Sequence, residues 1–170
     1  MPLLRTLLIF WTCLLTLTLP AYSQPLPPRP VGEPAGINKG RFVGVVVGTA
    51  AFYSVTLLLL GKTWYKKRVK FHAFNDNGEW LQMDKIGHAT TAYAMSRGGY
   101  ELFRWSGVNE RASILTGGLL ALLFQSTIEV FDGYSEGWGF SKGDMLANLG
   151  GTALFVGQQY AVGEQKLNLR

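Results

Sequence analysis

Three short runs of the sequence hold the side chains that could do chemistry. They are Asp84, Lys85 and His88; Gln125, Glu129 and Asp132; and Ser141, Asp144 and Asn148. Asp84 and His88 are four residues apart, as are Gln125 and Glu129, and Asp144 and Asn148, while Glu129 and Asp132 are three apart. On a helix each such pair shares one face. Two chemistries fit. His88 with the carboxylates of Asp84, Glu129 and Asp144 and an amide could ligate a divalent metal with open positions, which would polarise a phosphoryl oxygen or activate water. Alternatively, His88 and a carboxylate form an acid–base pair. Lys85, Asp132, Ser141 and Asn148 would then line the ligand site, with Lys85 placed for a phosphate. Capping alone could account for several members: Asp84 as an N-cap, Ser141-x-x-Asp144 as a capping box, Asp132-Gly133 as a turn, and Asn148 as interhelical glue. It accounts for neither His88 nor Glu129.

Helices must position these groups. The patterning predicts helices over about Leu81–Trp105, Glu110–Phe131 and Lys142–Val162, with short connections that make neighbours antiparallel. The start of the first, the end of the second and the start of the third then meet at one end of a bundle, bringing the three polar runs together. Asn75-Asp76-Asn77-Gly78 has the look of a calcium loop but lacks the remaining ligands, and reads as a turn.

The rest of the 170-residue chain reads as a membrane-associated, all-α protein. Only 16% of residues are charged, against roughly 25% in soluble domains. The single Cys13 excludes a disulfide scaffold. No nucleophile elbow, P-loop, H-E-x-x-H or dinucleotide fingerprint is present. Residues 1–23 read as a signal peptide or signal anchor, with Arg5, an apolar stretch and a small-x-small site at Ala21-Tyr22-Ser23. Residues 24–41 read as a Pro-rich spacer, since all seven prolines lie at or before Pro34. Residues 42–60 carry no charge and are just long enough to cross a hydrocarbon core of about 30 Å.

The connection over 61–80 holds Lys62, Lys66, Lys67, Arg68 and Lys70, a positive-inside signal that faces it toward the cytoplasm. No nucleic-acid module accompanies these charges, so nucleic acid is excluded as a partner. Residues 81–163 form the three-helix domain and 164–170 a polar tail. The uncharged stretches Ala112–Ile128 and Met145–Gly163 are long enough, or nearly so, to span, whereas the helix over 81–105 is either shielded in the bundle or interfacial. Trp64, Trp80, Trp105 and Trp138 sit at segment ends like an aromatic belt. The pairs Gly98-Gly99, Gly117-Gly118 and Gly150-Gly151 permit close helix approach. The expected fold is a small helical membrane bundle of about four helices after the signal segment.

The strings Asp84-Lys85-Ile86-Gly87-His88, Glu129-Val130-Phe131-Asp132-Gly133 and Trp138-Gly139-Phe140-Ser141-Lys142-Gly143-Asp144-Met145-Leu146-Ala147-Asn148-Leu149-Gly150-Gly151 resemble the YfiM-like family of uncharacterised bacterial envelope proteins, described as predicted periplasmic lipoproteins. Their order is also distantly similar to VanZ-like membrane proteins, which are linked to glycopeptide tolerance. The resemblance runs from about Phe71 to Gly157. It implies a bacterial cell-envelope protein; a periplasmic domain would reverse the orientation read from the basic run. No lipidated cysteine follows the signal, so lipid anchoring does not carry over. The functional expectation is an integral, inner-membrane protein that binds a lipid, a phosphorylated headgroup or a cell-wall precursor, with membrane lipids as partners. Two alternatives stand beside it: a structural subunit with an envelope protein partner, and a metal-dependent membrane hydrolase or transferase.

Overall fold

The structure is a computed structural model that describes residues 36–78 and 80–163. The signal reading at 1–23, most of the spacer, the side chain of Trp80 and the tail over 164–170 lie outside the described residues. Four helices follow one another: α1 Lys39–Thr63, α2 Met83–Trp105, α3 Glu110–Gly133 and α4 Lys142–Val162. Among the described residues there is no strand, only two isolated bridges, Arg68 with Ser135 and Ala73 with Phe140. The all-α expectation holds.

Local chemistry sets most of the helix ends. Asn38 caps α1 by accepting from Arg41 N at 3.0 Å, and Asn109 caps α3 by accepting from Ala112 N at 2.9 Å. Ser141 caps α4, accepting from Asp144 N at 3.1 Å. Gly163, at φ 70°, closes α4 with its N–H on Gln159 O, the left-handed stop that glycine adopts without cost. The start of α2 is different. Leu81 and Gln82 both sit in the left-handed region, at φ 50° and 60°, and Gln82 makes no side-chain capping bond. For residues with a Cβ this conformation costs about 1–2 kcal/mol each. Asp84 is therefore not the N-cap but lies inside the first turn. Likewise α3 runs on to Gly133, so Asp132-Gly133 is helix rather than turn.

α2 packs against both α3 and α4. Glycine allows this closeness: a Cβ on Gly117 would strike the Ser96 carbonyl oxygen, and one on Gly151 would strike the backbone of Ala89. Tyr93, Ile114 and Phe155, one from each helix, fill the bundle centre. α1 stands apart from this arrangement. Val45 is its only buried residue, while Val43, Val46, Val47, Val55, Leu58 and Leu59 are exposed. Its contacts include the aromatic pairs of Phe42 with Phe103 and of Phe52 and Tyr53 with Phe124, a 2.7 Å hydrogen bond between Tyr53 Oη and Thr127 Oγ1, the packing of Val45 on Phe103 and Val108, and Arg41 over the Trp105 ring. Along α3, Val45 clusters with Ala112 near its start, Tyr53 meets Phe124 and Thr127, and Tyr65 just past α1 meets Phe131 near its end, so α1 and α3 are parallel and end on the same side.

Two described helices, α1 and α3, are long and apolar enough to cross a membrane. α4 is not, contrary to the expectation from its uncharged length. Asn148, Thr152, Gln158 and Gln159 make it too polar. The segment after α1 folds back over the bundle end, pairing Val69 N with Tyr134 O, His72 N with Gly133 O, and Phe74 N with Phe140 O. Trp64 stacks on Trp138 at 6.2 Å on that same end.

Candidate functional site

Each of the three polar runs reaches this end from a different helix: Asp84, Lys85 and His88 from the first turns of α2, Gln125, Glu129 and Asp132 from the last turns of α3, and Ser141, Asp144 and Asn148 from the start of α4. His88 is the centre. Its Nδ1 lies 3.2 Å from Asn148 Oδ1, and that same oxygen accepts from Gln125 Nε2 at 3.1 Å. Because the Gln125 amide nitrogen can only donate, the Asn148 atom is the acceptor, and the network assigns the imidazole proton to Nδ1. With Nδ1 so engaged, Nε2 faces three carboxyl groups. Asp84 Oδ1 and Glu129 Oε1 are each 3.7 Å from Nε2, and Asp144 Oδ2 is 3.8 Å away.

The second oxygen of each carboxylate is held elsewhere. Glu129 Oε2 accepts from Ser141 N at 3.2 Å, Asp144 Oδ1 pairs with Lys85 Nζ at 2.6 Å, and Asp84 Oδ2 lies 3.4 Å from the same ammonium. One oxygen of each of these three carboxyl groups is thus engaged by the protein, leaving the other within 3.8 Å of His88 Nε2. At 3.7–3.8 Å none of them is close enough to be hydrogen-bonded to Nε2, which needs roughly 2.7–3.2 Å. Glu129 is 1% exposed, and its Oε1 has no hydrogen-bond partner. A buried carboxylate oxygen without a donor is costly unless the group is protonated or a cation meets it. Asp84, His88 and Asp144 offer ligand atoms that all lie within 4.8 Å of one another.

Lys85 was a candidate for phosphate. Its ammonium instead lies between Asp144 Oδ1 and Asp76 Oδ1, 2.6 Å from each, and its side chain is only 12% exposed. Burial works against the charged ammonium, but the bonds to Asp144 and Asp76 outweigh it and hold Lys85 above the usual lysine range. Burial likewise opposes ionisation of Asp76, but hydrogen bonds from Lys85 and Ser141 Oγ outweigh it and hold its carboxyl below the usual range. For Asp144 burial dominates and pushes the carboxyl up, with Lys85 pulling the other way.

Sequence reasoning missed Asp76. It lies in the segment read as a plain turn, yet its carboxylate accepts from Ser141 Oγ at 2.8 Å and ties that turn to both α2 and α4. Nothing in local spacing marks it, since an aspartate in Asn-Asp-Asn-Gly is ordinary turn chemistry. Tyr65 was missed too. Its hydroxyl donates to Asp132 Oδ1 at 2.8 Å, so Asp132 is engaged at the margin of the cluster rather than aimed at His88. Burial, then the Asp132 carboxylate, pushes the Tyr65 hydroxyl well above the usual tyrosine range.

The donor set suits a cation. Donors about 2.0–2.2 Å from a shared ion in tetrahedral array are about 3.4 Å apart, so small side-chain movements would close this group. One imidazole with carboxylates fits a divalent manganese, iron or zinc better than a soft metal.

The profile of a family described as "Predicted periplasmic lipoprotein (DUF2279)" matches residues 72–158, just over half of the chain. The matched stretch contains every member of the cluster and nearly coincides with the Phe71–Gly157 stretch that carried the resemblance. No curated protein and no solved structure matches the chain.

Proposed function

Since this chain belongs to the family of predicted periplasmic lipoproteins, proteins of the bacterial envelope, we propose that it is a divalent-cation-binding envelope protein. Its metal centre is Asp84, His88, Glu129 and Asp144, and through that metal it engages a phosphorylated lipid headgroup. The observation that carries this is the convergence of one unclaimed oxygen from each of three carboxylates on His88 Nε2. Five carboxyl groups (Asp76, Asp84, Glu129, Asp132 and Asp144) gather at this end with the single ammonium of Lys85, which three of them already engage. A bare site with that balance repels phosphate, so an anionic headgroup needs a metal to bridge it. This moves the expected role of Lys85 from ligand contact to support. A bound metal would supply Lewis-acid polarisation of a phosphoryl oxygen, the chemistry of a hydrolase or transferase. The protein's own contribution is orientation: Asn148 and Gln125 fix the His88 ring, Lys85 fixes Asp144, and Ser141 N fixes Glu129.

With no lipidated cysteine after the signal, α1 serves as the membrane anchor in this reading. The family description favours a periplasmic cluster, whereas the basic run Lys62–Lys70 favours the cytoplasmic side. Accessibility of a Lys70→Cys variant to an impermeant thiol reagent in intact cells decides between them. The order of this chain's polar motifs is also similar to that of YfiM-like and VanZ-like envelope proteins, which supports a place in the envelope.

The test is elemental analysis of detergent-purified protein. We expect about one manganese, iron or zinc per chain, the occupancy of one mononuclear site, lost in His88→Ala and Glu129→Gln while helicity by circular dichroism is kept. Folded wild-type protein that takes up none of these metals on dialysis against them overturns the reading.

A further inference from the structure

We propose that the left-handed turn before α2 is a membrane wedge that inserts Leu81, Met83 and Ile86 into the interface of an anionic bilayer beside the polar cluster. Leu81 is 94% exposed, Met83 61% and Ile86 56%. Three neighbouring apolar side chains standing this far out of a folded surface call for an apolar partner. Leu81 is not exposed by default. Both Leu81 and Gln82 adopt positive φ, which residues bearing a Cβ avoid. No side-chain cap at Gln82 offsets that strain. Strain held at a surface turn marks a constraint other than packing.

The surroundings name the partner. The chain between α1 and α2 crosses the same end of the bundle, and along it and the last turn of α1 Lys62, Lys66, Lys67, Arg68 and Lys70 are all exposed. Among the described residues, Lys67 alone of these forms an ion pair, with Glu136 at 3.0 Å and open to solvent on both sides. Exposed Trp64 and Trp138 stack together there. Basic residues for lipid phosphates, paired tryptophans for the interface and aliphatic side chains for the acyl boundary are the elements of interfacial binding to anionic lipid. α1 ends at this level, as does α3, so the wedge lies where either helix, crossing a membrane, would reach headgroup depth.

Geometry then relates the wedge to the cluster. Met83 directly precedes Asp84, and Ile86 lies between Lys85 and His88, so the apolar and ligand-bearing positions alternate over the first two turns of α2. A bilayer meeting one face of this helix brings its headgroups to the exposed side of Asp84. The inference goes beyond the cation reading and stands whether or not metal binds.

The experiment is full-length chain in vesicles of phosphatidylcholine with phosphatidylglycerol, with Cys13→Ser to remove the sole native thiol. An environment-sensitive dye is placed at Leu81→Cys, or at Lys142→Cys as an exposed polar control at the same end. We expect blue-shifted emission at position 81, quenched by lipid carrying a shallow nitroxide, and water-like, unquenched emission at 142. Water-like emission at 81 overturns the wedge. Replacing phosphatidylglycerol by phosphatidylcholine is expected to weaken quenching; unchanged quenching overturns the anionic part. A Leu81→Gly variant is expected to keep or raise the thermal midpoint in detergent, since glycine relieves the strain. A lowered midpoint would mean Leu81 packs on the protein and would overturn the proposal. Wild-type metal content in Leu81→Ser separates failure of the wedge from failure of the metal site.

Discussion

α1 and α3 are nearly equal in length, 25 and 24 residues, and both are apolar enough to span a membrane, with mean hydropathy 2.1 and 1.6. Their fates differ. Within the most apolar stretch of each, 6% of α1 is buried inside the protein and 39% of α3. α1 turns its valines and leucines outward and touches the bundle through a few aromatic rings. α3 buries Ser113, Gly117, Gly118, Ala121, Gln125 and Glu129 against α2 and α4. The lesson is that overall hydropathy measures compatibility with lipid, while the small and polar residues decide which helix joins a bundle. Gly44 and Gly48 on α1 have nothing within 4 Å of an added Cβ, whereas Gly117 and Gly118 on α3 lie against neighbouring helices. The same residue type is a contact in one helix and an idle position in the other.

The most drastic way to probe that difference is a side chain at the helix crossing. Gly117→Leu would drive Cβ into the carbonyl of Ser96 and the amide of Tyr100, backbone atoms that cannot rotate aside. We expect more than about 4 kcal/mol of destabilisation and loss of the cooperative thermal transition followed by circular dichroism. Gly48→Ala on α1 is the matched control, and its midpoint should correspond to a change within about 0.5 kcal/mol. A similar loss in both would erase the distinction between the helices.

Next in size is the polar end of α3. Glu129→Gln keeps the volume and can keep the Ser141 N–H bond but replaces the ligand oxygen Oε1 with an amide nitrogen that cannot ligate a metal. Metal affinity by competition titration should fall by more than the roughly 10–100-fold typical of an orienting residue. Asn148→Ala, which frees the His88 ring without removing a ligand, should fall within that range of about 10–100-fold. If Asn148→Ala were as damaging as Glu129→Gln, the division between ligands and orienting groups would be wrong. Apart from the Gly48→Ala control, the smallest effect is expected where α1 meets α3. Tyr53→Phe deletes one half-buried hydrogen bond to Thr127 and should cost about 0.5–1.5 kcal/mol in a chemical-denaturation series.

Much of the fold was legible because helix periodicity and caps are local. The bounds of α4 match the expectation, and those of α2 and α3 differ by two residues at one end each, where Leu81-Gln82 and Asp132-Gly133 depart from simple end signals. The convergence of the three polar runs followed from chain order and short connections alone. Asp76 and Tyr65 could not be anticipated in that way, because each reaches its partner across more than sixty residues by the folding of a loop with no period. The Arg97–Glu101 pair, by contrast, is found at 2.9 Å as four-residue spacing expects.

By itself the sequence determined that this chain is helical, where most of its helices begin and end, and which end of the bundle collects the ionisable groups. These follow from propensities and spacings that act within a few residues. Only the tertiary structure decided that Lys85 is locked between Asp76 and Asp144, that one oxygen of each of three carboxyl groups is left facing His88 Nε2, and that α3 buries one face in the bundle while α1 stays almost wholly outside it. Those outcomes depend on which atoms of distant segments come within 4 Å of each other, and no local pattern encodes a distance between side chains that only packing brings together.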